Sequence, residues 1–324
     1  MSERVTVAEA AKLLGSANDI LILTHHFPDG DTLGSGFALC RALRVLGKRA
    51  RVVCNDAIPE KYAYMWEGME EQAFEPAFVC AVDVADEKLL GDSLLPYASQ
   101  TELCIDHHGS HRSFEKRLLL NAEMGANAMI ILQIIEEWGV TVDTAMADCL
   151  YTGIATDTGC FKYSNTTPLT HRMAAALMEA GAHAEFINRA MFDIKSRARL
   201  SLEQQALQSI EFFANDRIAV MKITEEMLKT SGACEGDLEG LSPLPRQIEG
   251  VWVGATLRRK EDGNYKVSVR TGAHADAAEI CALLGGGGHA RAAGCTLSGS
   301  DEEVIGQLLT AIKQAVPKLQ ESAV

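Results

Sequence analysis

Basic residues are scarce in this chain relative to acidic ones, with 30 lysines and arginines against 44 aspartates and glutamates and a formal net charge of −14. A protein that coats duplex DNA or RNA needs a broad basic face, and this balance argues against one. The net negative charge is still compatible with a small anionic substrate that binds in a locally positive pocket. Many of the acids could also be metal ligands, whose charge bound cations would neutralise.

The chain also lacks any Cys-x-x-Cys pair, and its nine cysteines are scattered through mostly apolar stretches. An odd number of cysteines without paired spacing favours reduced, buried thiols in a cytoplasmic protein. A zinc site built from thiolates is the alternative.

Long apolar runs and an N-terminal basic-then-apolar segment are missing as well. We therefore expect no membrane span and no signal peptide. Hydrophobic residues nevertheless make up 47% of the chain, and mean hydropathy is close to zero. This composition predicts a large core, and 324 residues are enough for two domains.

Short apolar segments alternate with helical ones in the first half of the chain. Those at residues 19–24, 49–54, 77–82 and 103–105 are typical of buried strands. The alternation predicts an α/β fold whose N-terminal part is a doubly wound, mostly parallel sheet. The second half predicts a smaller mixed α/β domain. We expect domains at residues 1–183 and 214–324, joined by a helical connector at residues 184–213.

Histidines and acids follow three of the predicted strands directly. In open α/β sheets, ligands bind along the edge where the strands end, so these side chains can converge. Histidine with several aspartates suits a divalent cation such as Mn²⁺, and there are enough ligands for two ions flanking a phosphoryl group. The residues are His25, Asp29, Asp31, Asp83, Asp106, His107 and His108.

Residues 25–31 read His-His-Phe-Pro-Asp-Gly-Asp. Pro28 fixes φ and Gly30 permits an unusual turn, which can aim the two carboxylates at different targets. The alternative is a polar loop in which Asp31 caps a helix starting at Leu33.

Asp83 follows a buried apolar strand, where a lone charge is expensive unless it is paired or binds metal. We favour a ligand that bridges two ions, the alternative being a helix cap. In Asp106-His107-His108, one histidine can bind metal while the other faces substrate, and Asp106 can orient a histidine. A hydrogen-bonded histidine pair in the core is the alternative there.

Two further segments carry weaker signals. Asp157 lies in Thr-Asp-Thr-Gly at the end of a predicted helix, where a simple turn residue is the alternative. Four glycines precede His289, with Arg291 close behind, and Arg270 ends a predicted strand. Glycines expose backbone N–H groups and basic side chains add charge, so this segment is typical of an anion-binding loop.

The chain resembles the DHH phosphoesterase superfamily in five motifs and in their order. They lie at residues 25–31, 83, 106–108 and 156–159, followed by Gly-Gly-Gly-His-x-x-Ala-Ala-Gly at residues 286–294. The resemblance covers nearly the whole chain and is to the DHH–DHHA1 branch. Within it, the chain is most similar to the nanoRNase and pAp-phosphatase type. The chain departs from that family at His111, where many relatives have asparagine.

The resemblance implies a role for individual residues. One cation would be bound by His25, Asp29 and Asp83, and the other by Asp31, Asp83, His107 and Asp157. Mn²⁺ is the expected ion, with Mg²⁺ and Co²⁺ as alternatives. His108 would contact the scissile phosphate, with Asp83 and Asp106 as the other catalytic residues. A substrate phosphate would be bound by Arg270, Gly287, Gly288, His289 and Arg291.

The function implied is that of a metal-dependent hydrolase. It would cleave RNA of two to five nucleotides to mononucleotides and convert adenosine 3′,5′-bisphosphate (pAp) to AMP through a hydroxide activated by two cations. We expect nucleotide substrates as partners, with no duplex DNA and no membrane, and leave a homodimer open. Alternatives are a phosphodiesterase for cyclic dinucleotides or linear pApA, an inorganic pyrophosphatase, and an inactive nucleotide-binding regulator.

Overall fold

A computed structural model describes residues 2–238, 240–260 and 262–319 of the chain. The chain forms two compact units that divide after Ile194. This division lies inside the segment that the sequence predicts to be a connector. Residues 184–194 belong to the first unit and residues 195–213 to the second.

The first unit is built on a six-stranded sheet with helices packed against it. The strands are β1 (Glu3–Arg4), β2 (Ile20–Leu23), β3 (Ala50–Val53), β4 (Phe78–Val82), β5 (Thr101–Asp106) and β6 (Arg117–Leu120). The helices are α1 (Val7–Ser16), α2 (Gly30–Val45), α3 (Asn127–Glu137), α4 (Thr144–Asp157), α5 (Pro168–Glu179) and α6 (Ala184–Asn188). The strand order is β1-β6-β5-β4-β2-β3, and all neighbouring strands are parallel. The predicted parallel α/β fold is confirmed.

Both faces of this sheet are buried, as is usual for parallel sheets. In β2, Ile20 and Ile22 contribute to the core that includes helices α1 to α4. Leu21 and Leu23 contribute to a smaller core formed with the 3₁₀ turns Glu87–Leu90 and Leu95–Gln100. The strands are therefore apolar on both sides, which explains why their sequences read as continuous apolar runs.

The strand order reverses direction at β2. The chain leaves β2 through α2 and enters β3 on one side, whereas β4 pairs with β2 on the other side. Connections that diverge in this way leave a crevice at the carboxyl edge of the sheet, where α/β proteins bind ligands. The crevice follows directly from the topology of the first unit.

Helix α2 begins at this crevice, three residues earlier than predicted. Its N-cap is Asp29, which accepts hydrogen bonds from the backbone amides of Asp31 and Thr32, both at 3.0 Å. A start at Leu33 and a capping role for Asp31 are therefore wrong, because Asp29 already supplies the capping carboxylate.

The second unit is smaller and contains a mixed sheet, as predicted. Its strands are β7 (Glu211–Phe213), β8 (Ile218–Ile223), β9 (Val253–Arg259), β10 (Tyr265–Thr271), β11 (Gly287–His289) and β12 (Ala292–Leu297). Its helices are α7 (Arg197–Gln208), α8 (Glu225–Ser231), α9 (Ala277–Ala282) and α10 (Asp301–Ala315). The strand order is β11-β12-β10-β9-β8-β7, with β8 and β9 parallel and the other pairs antiparallel.

The end of the predicted helical connector is a strand instead. A turn at residues 214–216, all with positive φ, folds β7 back onto β8. A three-residue strand held by a neighbour leaves too short a pattern to recognise in the sequence.

The described part of the chain contains no helix long and apolar enough to cross a membrane. All nine cysteines are free, and six of them are buried. The expectation of unpaired, buried thiols is confirmed for those six, whereas Cys234 is exposed.

Candidate metal centre

The carboxyl edge of the first sheet brings the predicted ligands together. Strands β2, β4 and β5 are neighbours and run parallel, so the residues that follow them lie side by side. His25 follows β2, Asp83 follows β4, and His107 follows β5. Helix α2 adds Asp29 and Asp31 at its N-terminus, and Asp157 is the last residue of α4.

One group of ligands forms around His25. Its Nε2 atom lies 3.6 Å from Asp29 Oδ2 and 3.7 Å from Asp83 Oδ2. One ligand atom from each of the three residues lies within 4.8 Å of the others, close enough to hold one ion.

A second group forms around His107. Its Nε2 atom lies 3.8 Å from Asp31 Oδ2, 3.5 Å from Asp83 Oδ1 and 3.7 Å from Asp157 Oδ2. Asp83 therefore directs Oδ2 to the first group and Oδ1 to the second. A carboxylate placed in this way can bridge two ions.

The two histidines present a lone pair to these groups. His25 Nδ1 lies 2.8 Å from the carbonyl oxygen of His26, and His107 Nδ1 lies 3.1 Å from that of Met124. Because a carbonyl oxygen only accepts, Nδ1 carries the proton in both rings and Nε2 is free to coordinate a metal.

Backbone amides hold the buried Asp31. Its Oδ2 accepts from the amide of Asn127 at 2.6 Å, and its Oδ1 from that of Ala128 at 2.9 Å. Both amides belong to the first turn of α3, where unpaired N–H groups favour a negative charge. Ser35, one turn along α2, adds a weaker bond to Oδ1 at 3.4 Å.

Two buried atoms at the centre of the site have no hydrogen-bond partner, namely Asp83 Oδ1 and His107 Nε2. They face each other at 3.5 Å. Buried polar atoms are rarely left without a partner, because desolvation is costly. Two electron-pair donors facing each other can share a cation, so the donor set fits a divalent metal ion.

Crowding of negative charge points the same way. Burial raises the pKa of Asp83 well above its usual range, and the charges of Asp31 and Asp29 raise it further. Burial and the same two charges raise the pKa of Asp157 to about 8. The carboxyl groups cannot all ionise at neutral pH unless positive charge is placed among them.

The backbone at Asp83 is also strained. Its φ is +59°, a left-handed conformation that residues other than glycine seldom adopt. Such strain is found preferentially at functional sites, where the surrounding structure maintains it.

His108 occupies a different position from His107. Its Nδ1 atom lies 2.8 Å from Asp106 Oδ1, and its side chain is 35% exposed, against 11% for His107. Burial lowers the pKa of His108, but the hydrogen bond and charge of Asp106 outweigh burial and raise it. His108 is thus suited to donate to an anion from its other ring nitrogen.

The predicted residues of the second unit lie around β10, β11 and β12. Gly287, Gly288 and His289 are exposed and form β11, a short strand rather than a loop. Gly288 has φ of +145°, and a side chain there would clash with the backbone of Ala293. The tetraglycine segment therefore pairs closely with β12, and the amides of Gly285 and Gly286 donate to the carbonyl oxygens of Ala282 and Cys281.

The two arginines that are predicted to bind phosphate have partners within this unit. Arg270 donates to Ser242 Oγ at 3.2 Å and to its neighbour's carbonyl oxygen, that of Val269. Arg291 donates to the carbonyl oxygens of Gly272 and Ala275.

Backbone donors and acceptors are what sequence reasoning missed at this site. The amides of Asn127 and Ala128 and the carbonyl of Met124 carry no signal in a side-chain pattern. Asp86, close to the site in sequence, is the cap of a 3₁₀ turn and accepts a hydrogen bond from the Lys88 amide at 3.0 Å. His26 belongs to neither ligand group.

Comparison with known proteins gives consistent results. Residues 19–154 match the N-terminal domain of the DHH family, and residues 215–318 match the DHHA1 domain. The bifunctional oligoribonuclease and PAP phosphatase NrnA of Thermus thermophilus is 33% identical over 322 residues, which cover 96% of this chain and 94% of that protein.

Two solved structures share the fold. An exopolyphosphatase-related protein from Bacteroides fragilis superposes with a TM-score of 0.87 at 24% identity, over 97% of both chains. The RecJ protein of Thermus thermophilus in complex with Mn²⁺ gives 0.53 at 14% identity, over 96% of this chain and 55% of that one.

Proposed function

Because this chain belongs to the DHH family, with a C-terminal DHHA1 domain, and is a hydrolase acting on phosphoester bonds, we propose that it cleaves very short RNA to mononucleotides and converts pAp to AMP. The Thermus relative, which is named an oligoribonuclease and PAP phosphatase, supports both substrate classes. The observation that carries the proposal is Asp83, whose two oxygens lie in two different groups of metal-type ligands.

Two divalent cations, with Mn²⁺ expected, would be held by the two groups. His25, Asp29 and Asp83 would bind one, and Asp31, Asp83, His107 and Asp157 the other. The unpartnered atoms of Asp83 and His107 and the crowded carboxylates support this assignment. When bound, such a pair lowers the pKa of a water molecule and offsets the charge of a phosphate.

The protein's own groups would orient the substrate. With Nδ1 held by Asp106, His108 would donate from Nε2 to an oxygen of the scissile phosphate and stabilise charge that develops there. Asp29 serves the site twice, because Oδ1 caps α2 while Oδ2 faces His25. Helix α2 is thereby fixed at the position from which Asp31 reaches the site.

The second unit would bind a further phosphate of the substrate. Arg270 supplies a guanidinium, His289 an exposed ring, and Gly287 and Gly288 backbone N–H groups. Arg291, which is bonded to two carbonyls, would contribute charge while keeping its place in the loop.

Product analysis with Mn²⁺ on pAp, a dinucleotide, linear pApA, a cyclic dinucleotide, a long RNA and pyrophosphate tests the proposal directly. We expect AMP from pAp, mononucleotides from the dinucleotide and much slower cleavage of long RNA. Faster turnover of pApA or the cyclic dinucleotide would favour that alternative, and fastest turnover of pyrophosphate would indicate a pyrophosphatase. Binding without turnover of any substrate would indicate a regulator and contradict the proposal.

A further inference from the structure

Asp106 is hydrogen-bonded to a second histidine besides His108, namely His111. Oδ1 of Asp106 accepts from the amides of His107 at 2.8 Å and His108 at 3.2 Å, and from the His108 ring at 2.8 Å. Oδ2 accepts from Nδ1 of His111 at 2.5 Å. Asp106 thus lies between the partly exposed ring of His108 and the buried ring of His111.

His111 is itself held by a second carboxylate. Its Nε2 lies 3.1 Å from Glu115 Oε2, and the side chains of His111 and Glu115 are 1% and 0% exposed. Glu115 Oε2 also accepts from the amide of Phe114 at 2.9 Å. His108, Asp106, His111 and Glu115 therefore form a continuous hydrogen-bonded chain, which we call the Asp106 network.

Both ring nitrogens of His111 face carboxylate oxygens, so both must carry protons. Burial opposes the charge of His111, but the hydrogen bonds to Asp106 and Glu115 outweigh burial and raise its pKa to about 9. Burial likewise opposes the charge of Glu115, yet the His111 bond and the Phe114 amide lower its pKa to about 2. The buried part of the network is an imidazolium between two carboxylates.

We propose that His111 and Glu115 are positioning residues for His108, which they orient through Asp106 without touching substrate or metal. The imidazolium of His111 fixes the Asp106 carboxylate in the rotamer that receives His108 and offsets its buried charge. Glu115 in turn keeps His111 doubly protonated and in place. The inference rests on the proposed role of His108 as the donor to phosphate.

A metal ion is the competing explanation for this cluster, since ligand atoms of Cys104, His111 and Glu115 lie within 4.8 Å of one another. Two observations argue against it. Both nitrogens of His111 are already bonded to carboxylates. Burial, with the charges of Asp106 and Glu115, also raises the pKa of Cys104 well above its usual range, so that its thiol stays protonated and is a poor ligand.

The test is a comparison of His111→Gln in two backgrounds, using the full chain with Mn²⁺ and pAp. In the wild-type background we expect kcat to fall about 10- to 100-fold, the usual effect of losing a group that orients an active-site residue, with KM and Mn²⁺ content unchanged. In the His108→Ala background the same substitution should change kcat by less than about twofold. His183→Gln, which breaks the exposed His183–Asp148 pair, is the matched control and should keep wild-type activity.

Additive losses in the two backgrounds would overturn the inference, because they would mean that His111 does not act through His108. A zinc ion in the wild-type protein that is lost in His111→Gln would overturn it in favour of a metal site. If His111→Gln does not fold, Glu115→Gln carries the same comparison with a smaller expected loss. Wild-type activity in His108→Ala would instead refute the proposed role of His108.

Discussion

Asp83 combines, in a single residue, burial, a left-handed backbone and a carboxylate that faces two histidines. Left-handed geometry in a residue other than glycine costs about 1–3 kcal/mol. A buried charge among other carboxylates adds to this cost. The backbone conformation and the buried carboxylate of Asp83 both destabilise the metal-free fold. A role as a metal ligand accounts for the presence of aspartate at this position.

Asp83→Asn should separate function from stability. We expect kcat with Mn²⁺ to fall by more than about 100-fold, beyond the usual effect of groups that only orient a ligand. The metal-free variant should melt at the same or a higher temperature at neutral pH, because an amide is neutral without the proton that the buried Asp83 carboxyl must take up on folding. Activity assays and melting curves in chelator measure both effects.

Asp86→Asn is the control for this variant, because Asp86 caps a nearby 3₁₀ turn, pairs with the exposed Arg112 and belongs to neither ligand group. It should keep its activity. Wild-type turnover in Asp83→Asn would contradict the assignment of Asp83 as the shared ligand.

Asp157 predicts a pH dependence of stability. Its pKa is raised from 3.8 to about 8, so between pH 4 and 8 the unfolded chain releases a proton that the folded, metal-free protein retains. The stabilisation is complete below about pH 4 and is lost as the pH rises towards 8. In chelator, Asp157→Asn should therefore show a smaller drop in melting temperature between pH 5 and pH 8 than the wild type.

The exposed Asp92 provides the comparison, since Asp92→Asn should leave the wild-type drop intact. An unchanged drop in Asp157→Asn would mean that the Asp157 carboxyl is already ionised in the metal-free protein.

At the scale of elements, the site depends on the close approach of α2 and α4. A Cβ atom on Gly34 would lie 2.3 Å from the carbonyl oxygen of Cys149, and one on Gly153 would lie 2.7 Å from Asp31 Oδ1. Two glycines thus allow the helix that carries Asp31 to contact the helix that ends at Asp157. Larger residues would separate these two ligands.

Gly34→Ala should lower both stability and activity. We expect a loss of about 1–3 kcal/mol in the free energy of unfolding, typical of overpacking, and a lower affinity for Mn²⁺. Gly306→Ala in α10 is the control, because a Cβ there meets nothing within 4 Å. It should stabilise the protein by about 0.5–1 kcal/mol. Denaturant titration measures the free energy of unfolding of both variants, and Mn²⁺ titration measures the affinity. Equal effects of the two substitutions would contradict a requirement for glycine where α2 meets α4.

Element prediction from sequence succeeded for three of the strands that are apolar on both sides, but it missed β6, which is also apolar on both sides. Strands β2, β3 and β4 lie within a residue of their predicted bounds, since buried parallel strands produce unbroken apolar runs. The prediction missed β1, whose two residues Glu3 and Arg4 are exposed and are ordered by pairing with β6. Short edge strands of this kind depend on a distant neighbour and leave no local pattern.

For the whole molecule, the candidate side chains of the metal centre could be predicted because they follow strands whose parallel order brings their ends together. The sequence could not predict which oxygen of Asp83 faces which histidine, or that α3 amides hold Asp31. Those details depend on helix packing and backbone direction. The Asp106 network could not be predicted for a similar reason. A role for His111 and Glu115 is indicated only by the hydrogen bonds that link them to Asp106, and these bonds depend on the folded backbone.

The number of Mn²⁺ ions bound per chain is the most direct measurement, by equilibrium dialysis with metal analysis on the wild type, Asp29→Asn and Asp83→Asn. We predict two ions in the wild type, one in Asp29→Asn, and a loss of affinity at both positions in Asp83→Asn. A wild-type chain that binds no Mn²⁺, or an Asp83→Asn chain that still binds two ions with unchanged affinity, would contradict a centre in which two cations share Asp83.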